Sequence, residues 1–153
     1  MKYDFLYKYI VEKESQIRLR HTFYKVDDNI IQQINATIKI PLELKEFYQL
    51  IGHGFMFDII DGSIDKFLDP IEFKRINLHE DYYEFDPTLE LFSLPMYEDK
   101  LIFFEVNEGV YLLIDKQDIK EKNAIYYFDK KIANSLEEFL IRFDKEAYYF
   151  ETD

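Results

Sequence analysis

The chain of 153 residues contains no cysteine and no tryptophan. Without cysteine there is no disulfide, no thiolate-bound zinc and no cysteine nucleophile. Histidine is scarce as well: His21, His53 and His79 are the only three, and none shows the i, i+4 helical spacing of a zinc-protease pair. His79-Glu80-Asp81 comes nearest to a cysteine-free zinc set, but one imidazole beside two carboxylates falls short of converging ligands. Neither a metal nor a cofactor is therefore expected. Four glycines and four prolines exclude a long flexible linker. No phosphate-cradling loop exists, since Gly52-His53-Gly54 lacks both the later glycine and the lysine. The serines, Ser15, Ser63, Ser93 and Ser135, all lie outside a Gly-x-Ser-x-Gly elbow. No apolar run has the length of a signal peptide or a membrane span, so a cytoplasmic protein away from membranes is expected. Asn35-Ala36-Thr37 then has no meaning as a glycosylation acceptor.

Positive charge is also in deficit. Lys and Arg number 19 against 31 Asp and Glu, a formal net charge of -12. Such a surface repels phosphate backbones, which argues against nucleic-acid binding. It attracts and steers a basic protein, and it also serves ordinary solubility. Paired carboxylates are so common in this chain that no glycosidase pair is specified. With no nucleophile, base and orienting group in sight, the chain reads as non-enzymatic.

What is present is a large apolar supply, 48% of residues, rich in rings (15 Phe and 13 Tyr). One domain spanning 1-153 fits this length. Leu44, Phe47, Tyr48 and Ile51 sit at i, i+3, i+4 and i+7, one face of a helix. Pro41 stands where its first turn begins and Gly52 where it stops. His53, at this helix end, is expected to satisfy terminal carbonyls through the helix dipole. Tyr3 to Ile17 reads as an opening helix, with Phe5, Leu6, Tyr9, Ile10, Lys13 and Ile17 at helical spacing. Asp27 suits an N-cap, with Val26 and Ile31 as staple partners, for a helix burying Ile30, Ile31 and Ile34. Asp69-Pro70-Ile71-Glu72 is a further helix entrance.

Strands are expected at Phe55–Ile60, with a partner over Ile64 to Leu68, and at Leu101–Val106, Val110–Asp115 and Ile125–Phe128. Leu91-Phe92 reads as the start of another, broken by Pro95. Asn107-Glu108-Gly109 is a hairpin loop. Asn134 or Ser135 caps a last helix whose stripe is Leu136, Phe139, Leu140 and Phe143. Helices, then hairpin-linked strands, then a closing helix give an α+β fold: N-terminal helices and a C-terminal helix packed on a mainly antiparallel sheet.

Two segments together have a familiar spacing. Ile40-Pro41 with Leu44, Phe47, Tyr48 and Gly52, and Ile125-Tyr126-Tyr127-Phe128 followed by Ile132-Ala133-Asn134-Ser135-Leu136-Glu137-Glu138-Phe139-Leu140, resemble the opening and closing motifs of the SUKH superfamily. The resemblance is strongest over 26-143. Gly52-His53-Gly54 replaces that family's Asn-Gly-Gly, and its common tryptophans are missing. The superfamily includes Smi/Knr-type regulators of cell-wall synthesis and bacterial immunity proteins that neutralise nuclease or deaminase toxins. The resemblance thus implies a protein-binding role without catalytic residues: an immunity or antitoxin protein occluding a basic toxin, or alternatively a regulatory scaffold with an endogenous partner.

The expected contact segment is the acidic stretch from His79 to Glu90, interleaved with Tyr82, Tyr83 and Phe85. Glu80, Asp81, Tyr82, Tyr83, Glu84 and Asp86 are the expected contact residues. Tyrosine offers a rigid ring with a polar tip, and carboxylates complement arginine and lysine. The competing reading is a solvated loop with its rings on the edge of the core. Tyr148-Tyr149-Phe150-Glu151 has the same composition and the same two readings.

Overall fold

A computed structural model describes residues 2–12, 20–57, 62–106 and 109–151. Its eight strands form one sheet in chain order: β1 (Ile10–Val11), β2 (Thr22–Tyr24), β3 (His53–Phe57), β4 (Ile64–Phe67), β5 (Lys100–Val106), β6 (Val110–Asp115), β7 (Ile125–Tyr127) and β8 (Lys130–Ala133). β1 and β2 run parallel, and every other neighbouring pair is antiparallel. Four α-helices accompany the described sheet: α1 (Asp28–Thr37) and α2 (Leu42–Leu50) between β2 and β3, α3 (Pro70–Leu78) after β4, and α4 (Leu136–Lys145) after β8. The α+β class and the closing helix are as the sequence implies.

Local rules account for the helices. The Asp27 side chain accepts from Asn29 N–H at the start of α1, and Asp69 accepts from Glu72 N–H at the start of α3, with Pro70 in its first turn. Ser135 caps α4 by accepting from Glu138 N–H, while the Glu138 carboxylate reaches back to Asn134 N–H. In α2 the helix starts at Leu42, one residue beyond Pro41. Its stripe of Leu44, Phe47, Tyr48 and Ile51 is buried, as is that of α4.

Four expectations change. The opening helix is a 3-10 turn over Asp4–Tyr9, after which Ile10 and Val11 pair with β2; Lys13 to Ile17 lie outside the described residues. Tyr3 is left-handed (φ 64), and two β-branched residues favour pleated pairing over helix. Phe128 ends β7 with φ 54 in the tight turn to β8, a strand the sequence pattern does not announce. Leu91–Ser93 is a 3-10 turn and not a strand. It belongs to a series over Asp81–Tyr83, Pro87–Leu89, Leu91–Ser93 and Pro95–Tyr97, in which two prolines forbid continuous pairing. His53 lies within β3, and Lys25 Nζ is the group that donates to a terminal carbonyl of α2, Leu50 O, at 3.1 Å. Of the other expected elements, Asp58 to Asp61 and Asn107-Glu108 are outside the described residues.

The core is aromatic. Phe67 of β4 stacks on Phe47 of α2 (4.2 Å, 19°) and meets Tyr48, Phe103 and Phe104 edge-on. Phe104 continues to Phe139 and Phe143 of α4. Such pairs add roughly 0.5–1.5 kcal/mol each beyond burial. A β-bulge between Ile102 and Phe104 re-aims β5, and four consecutive residues of that strand are buried. The terminal aromatics belong to this body: Tyr148 donates to both oxygens of buried Asp65 (2.8 and 3.0 Å), Tyr149 donates to Ile132 O, and Phe150 is buried.

Candidate partner-binding surface

The segment between α3 and β5 stands out from this body. From His79 to Asp99 it has seven carboxylates and no lysine or arginine. Five of its apolar residues are open: Tyr82 is 85% exposed, Phe85 87%, and Leu91, Leu94 and Met96 between 43% and 53%, while Leu89 and Tyr97 are buried in the core. Single exposed apolar residues are ordinary; several on one acidic segment make it the candidate surface.

The excursion is anchored where it leaves α3. His79 closes the helix in the left-handed region (φ 55), Glu80 N–H donates to Arg75 O at 2.9 Å, and Asp81 is left-handed again (φ 52). Two non-glycine residues there are strained by about 1 kcal/mol each, a state that persists only under external constraint. The constraints are visible. Lys74 pairs with Glu80 at 3.0 Å and Arg75 with Asp81 at 3.1 Å. The Tyr83 hydroxyl donates to Glu72 Oε2 at 3.0 Å, and Lys66 of β4 holds the same carboxylate at 2.7 Å. Burial, then Glu72, pushes the Tyr83 hydroxyl pKa well up.

The six expected contact residues therefore divide. The side chains of Tyr82 and Glu84 face solvent without a side-chain hydrogen bond or ion pair among the described residues. Glu80 and Asp81 brace the turn through their cationic partners. Tyr83 turns its hydroxyl inward. Asp86 caps the next 3-10 turn by accepting from Thr88 N–H (3.0 Å) and from the Thr88 hydroxyl (2.7 Å). Phe85, outside that expected set, is the most open large apolar side chain described, and Leu91, Leu94 and Met96 extend its surface. Their signal in the sequence is weak: apolar residues without period, from just before Pro87 to just after Pro95.

Beneath Tyr82 lies a groove of about 790 Å³, walled by the start of α1, α3 and the Asp81–Tyr83 turn, with His53 and Lys66 at the sheet. Burial lowers the His53 pKa, which favours the neutral ring. The nearby carboxylates are already engaged, Asp69 as a helix cap and Glu72 by Lys66 and Tyr83. Among the described residues that line the groove there is no serine, threonine or cysteine. Among the described residues, no group of three or more His, Asp or Glu is placed to hold a metal ion, and no helix is long and apolar enough to cross a membrane.

A family model described as the SMI1 / KNR4 family (SUKH-1) matches residues 25–142. The chain belongs to this family. The matched stretch nearly coincides with the 26-143 over which the sequence resemblance is strongest. The SUKH-1 chain is also 37% identical over 133 residues to the Bacillus subtilis (strain 168) protein named Immunity protein YxxD, covering 84% of this chain and 86% of that relative. No solved structure matches significantly. In this SUKH-1 member the glycines of Gly52-His53-Gly54 have a clear steric purpose. A Cβ on Gly52 would lie 1.9 Å from Tyr24 O, and one on Gly54 1.9 Å from Thr22 O. The two residues let β3 leave α2 directly against the backbone of β2.

Proposed function

We propose that this SUKH-1 member is an immunity-type protein-binding module. It neutralises a basic toxin domain of nuclease or deaminase type in the cytoplasm by occluding its active site, without catalysis of its own. The observation that carries this is the braced excursion of exposed rings and carboxylates free of any lysine or arginine. The name of the B. subtilis relative supports it, as does the absence of a catalytic set among the described residues.

The physical logic is electrostatic and steric. A net charge of -12 accelerates encounter with a cationic surface. Exposed rings then displace water and fix the docked pose. The contact residues are Glu80, Asp81, Tyr82, Tyr83, Glu84 and Asp86, joined by Phe85, with Tyr83 contributing its ring edge rather than its hydroxyl.

The test is association with the product of the neighbouring gene. Binding is expected to inhibit the toxin, with an association rate that falls steeply as ionic strength rises past the Debye regime near 0.1 M. Absence of binding at micromolar concentration in low salt refutes the proposal.

A further inference from the structure

The molecule shows within itself how it holds a cation. Lys100 Nζ lies 4.3 Å from the centroid of the Tyr126 ring, fixed there by Asp99 at 2.9 Å and Asp115 at 3.8 Å. The Arg142 guanidinium lies 3.9 Å over the Tyr149 ring. A ring face with carboxylates at its margin is a cation receptor, because the ring quadrupole and the anions attract the same charge.

The excursion repeats those elements. Tyr82 is flanked by Asp81, and Phe85 lies between Glu84 and Asp86. Both ring faces are open, and no cation of the described residues lies over either. Tyr83 meets Tyr82 edge-on at 5.4 Å (87°), which leaves the outer face of Tyr82 free. The two rings are three residues apart on a chain turning through 3-10 and helical geometry, a spacing that brings side chains to one side. Glu84, between them, has no ion pair among the described residues.

We infer that Tyr82 and Phe85, with Glu84 and the adjoining carboxylates, form a two-ring receptor for arginine side chains of a protein partner. Arginine is favoured over lysine because its planar guanidinium stacks on a ring and forks onto a carboxylate at once, while an ammonium is a compact, strongly hydrated point charge. The left-handed His79 and Asp81, braced by Lys74 and Arg75, keep the two rings presented and limit the ordering cost on binding. For the identity of the partner this rests on the immunity-type reading; the receptor chemistry does not.

Two measurements separate them. In the first, hexa-arginine and hexa-lysine peptides are titrated into the protein while the ring resonances of Tyr82 and Phe85 are followed. Both rings are expected to shift, with hexa-arginine binding at least about threefold tighter. Tyr82→Leu/Phe85→Leu, which keeps apolar area but has no ring face, is expected to abolish that preference. Both side chains are more than four-fifths exposed, so this variant should unfold at the wild-type temperature. In the second, calorimetry with the toxin domain that the product of the neighbouring gene is proposed to carry is expected to show each Leu substitution weakening binding about tenfold, with Tyr82→Phe and Phe85→Tyr within about twofold of wild type. Equal response to the two peptides, or full affinity in the Leu variants, overturns the receptor. Arginine preference together with a toxin domain that does not bind leaves the receptor standing and overturns the immunity reading.

Discussion

Glu43 offers the sharpest test of how this fold is held. It lies in the first turn of α2, yet it is 1% exposed. Its carboxylate accepts from the backbone N–H of Asn123, from Leu136 N–H at 2.9 Å and from Glu137 N–H at 3.5 Å, and Lys2 Nζ stands 3.4 Å away. In return, Glu43 N–H donates to Asn123 Oδ1 at 3.0 Å. One side chain thus ties α2 to the loop before β7 and to the N-terminus of α4, whose dipole favours the negative charge. Glu43→Ala leaves at least two buried N–H groups without an acceptor. At about 2 kcal/mol for each, the loss is about 4 kcal/mol, a large part of the roughly 5–15 kcal/mol that a domain possesses. With a urea m-value of roughly 2 kcal/mol/M, the midpoint falls by about 2 M. Glu46→Ala is the control. Glu46 binds the same Lys2 at 2.7 Å but is 43% exposed, and its removal is expected to cost less than about 1 kcal/mol. Equal midpoints for wild type and Glu43→Ala would refute the reasoning, because they would mean that the orphaned amides find other partners freely.

Two further outcomes follow from buried geometry. Burial pushes the Asp144 carboxyl up, but the hydrogen bond from His21 (2.7 Å) and the Arg20 charge (3.2 Å) outweigh it, and its pKa lies below the usual 3.8. A carboxyl depressed by folding contributes stability above its unfolded pKa and loses it as pH falls through the lower folded value. Urea midpoints measured from pH 6 to pH 2.5 should therefore fall less in Asp144→Asn than in wild type below about pH 4, and parallel curves would contradict this. Gly52→Ala places a methyl group 1.9 Å from Tyr24 O at a φ of +119°, so β2 and β3 must separate; a loss above about 3 kcal/mol in the same assay is expected, and a loss below about 1 kcal/mol would show that the strands yield easily.

How much of this was legible depended on the range of the forces involved. Helix starts at Asp27, Asp69 and Ser135 could be read because a cap is decided by residues within one turn. The stripes of α2 and α4 could be read because helical period and burial coincide. β1, β2 and β8 could not: they are two to four residues long and lack the apolar run bounded by turn residues that announced the equally short β4 and β7. Glu43 was illegible for the same reason: its amide partners lie 80 or more positions away, and a glutamate early in a helix ordinarily faces water. At the contact surface the acidic bias was plain in composition. The division between bracing and presenting residues was not, because it depends on where Lys74, Arg75 and Glu72 lie in space.

That division bears on how such a protein changes partners. The groups that determine stability, Phe67, Glu43 and the two glycines against β2, lie in the sheet, in the helices packed on it and in the connection from α2 to β3. Tyr82, Glu84 and Phe85 contribute almost no buried area, so replacing them alters stability by no more than about 0.5 kcal/mol. The bracing pairs stand between these two groups. Loss of Arg75 or Lys74 is expected to leave the core intact and to loosen the turn by less than about 1 kcal/mol for each exposed pair, with the Tyr83–Glu72 contact still in place. Variation at Tyr82, Glu84 and Phe85, with Lys74, Arg75, Glu72, Glu80, Asp81 and Tyr83 retained, is thus the physically least costly route from one basic partner to another. It keeps both the fold and the rigidity of presentation while exchanging only the groups that touch the partner.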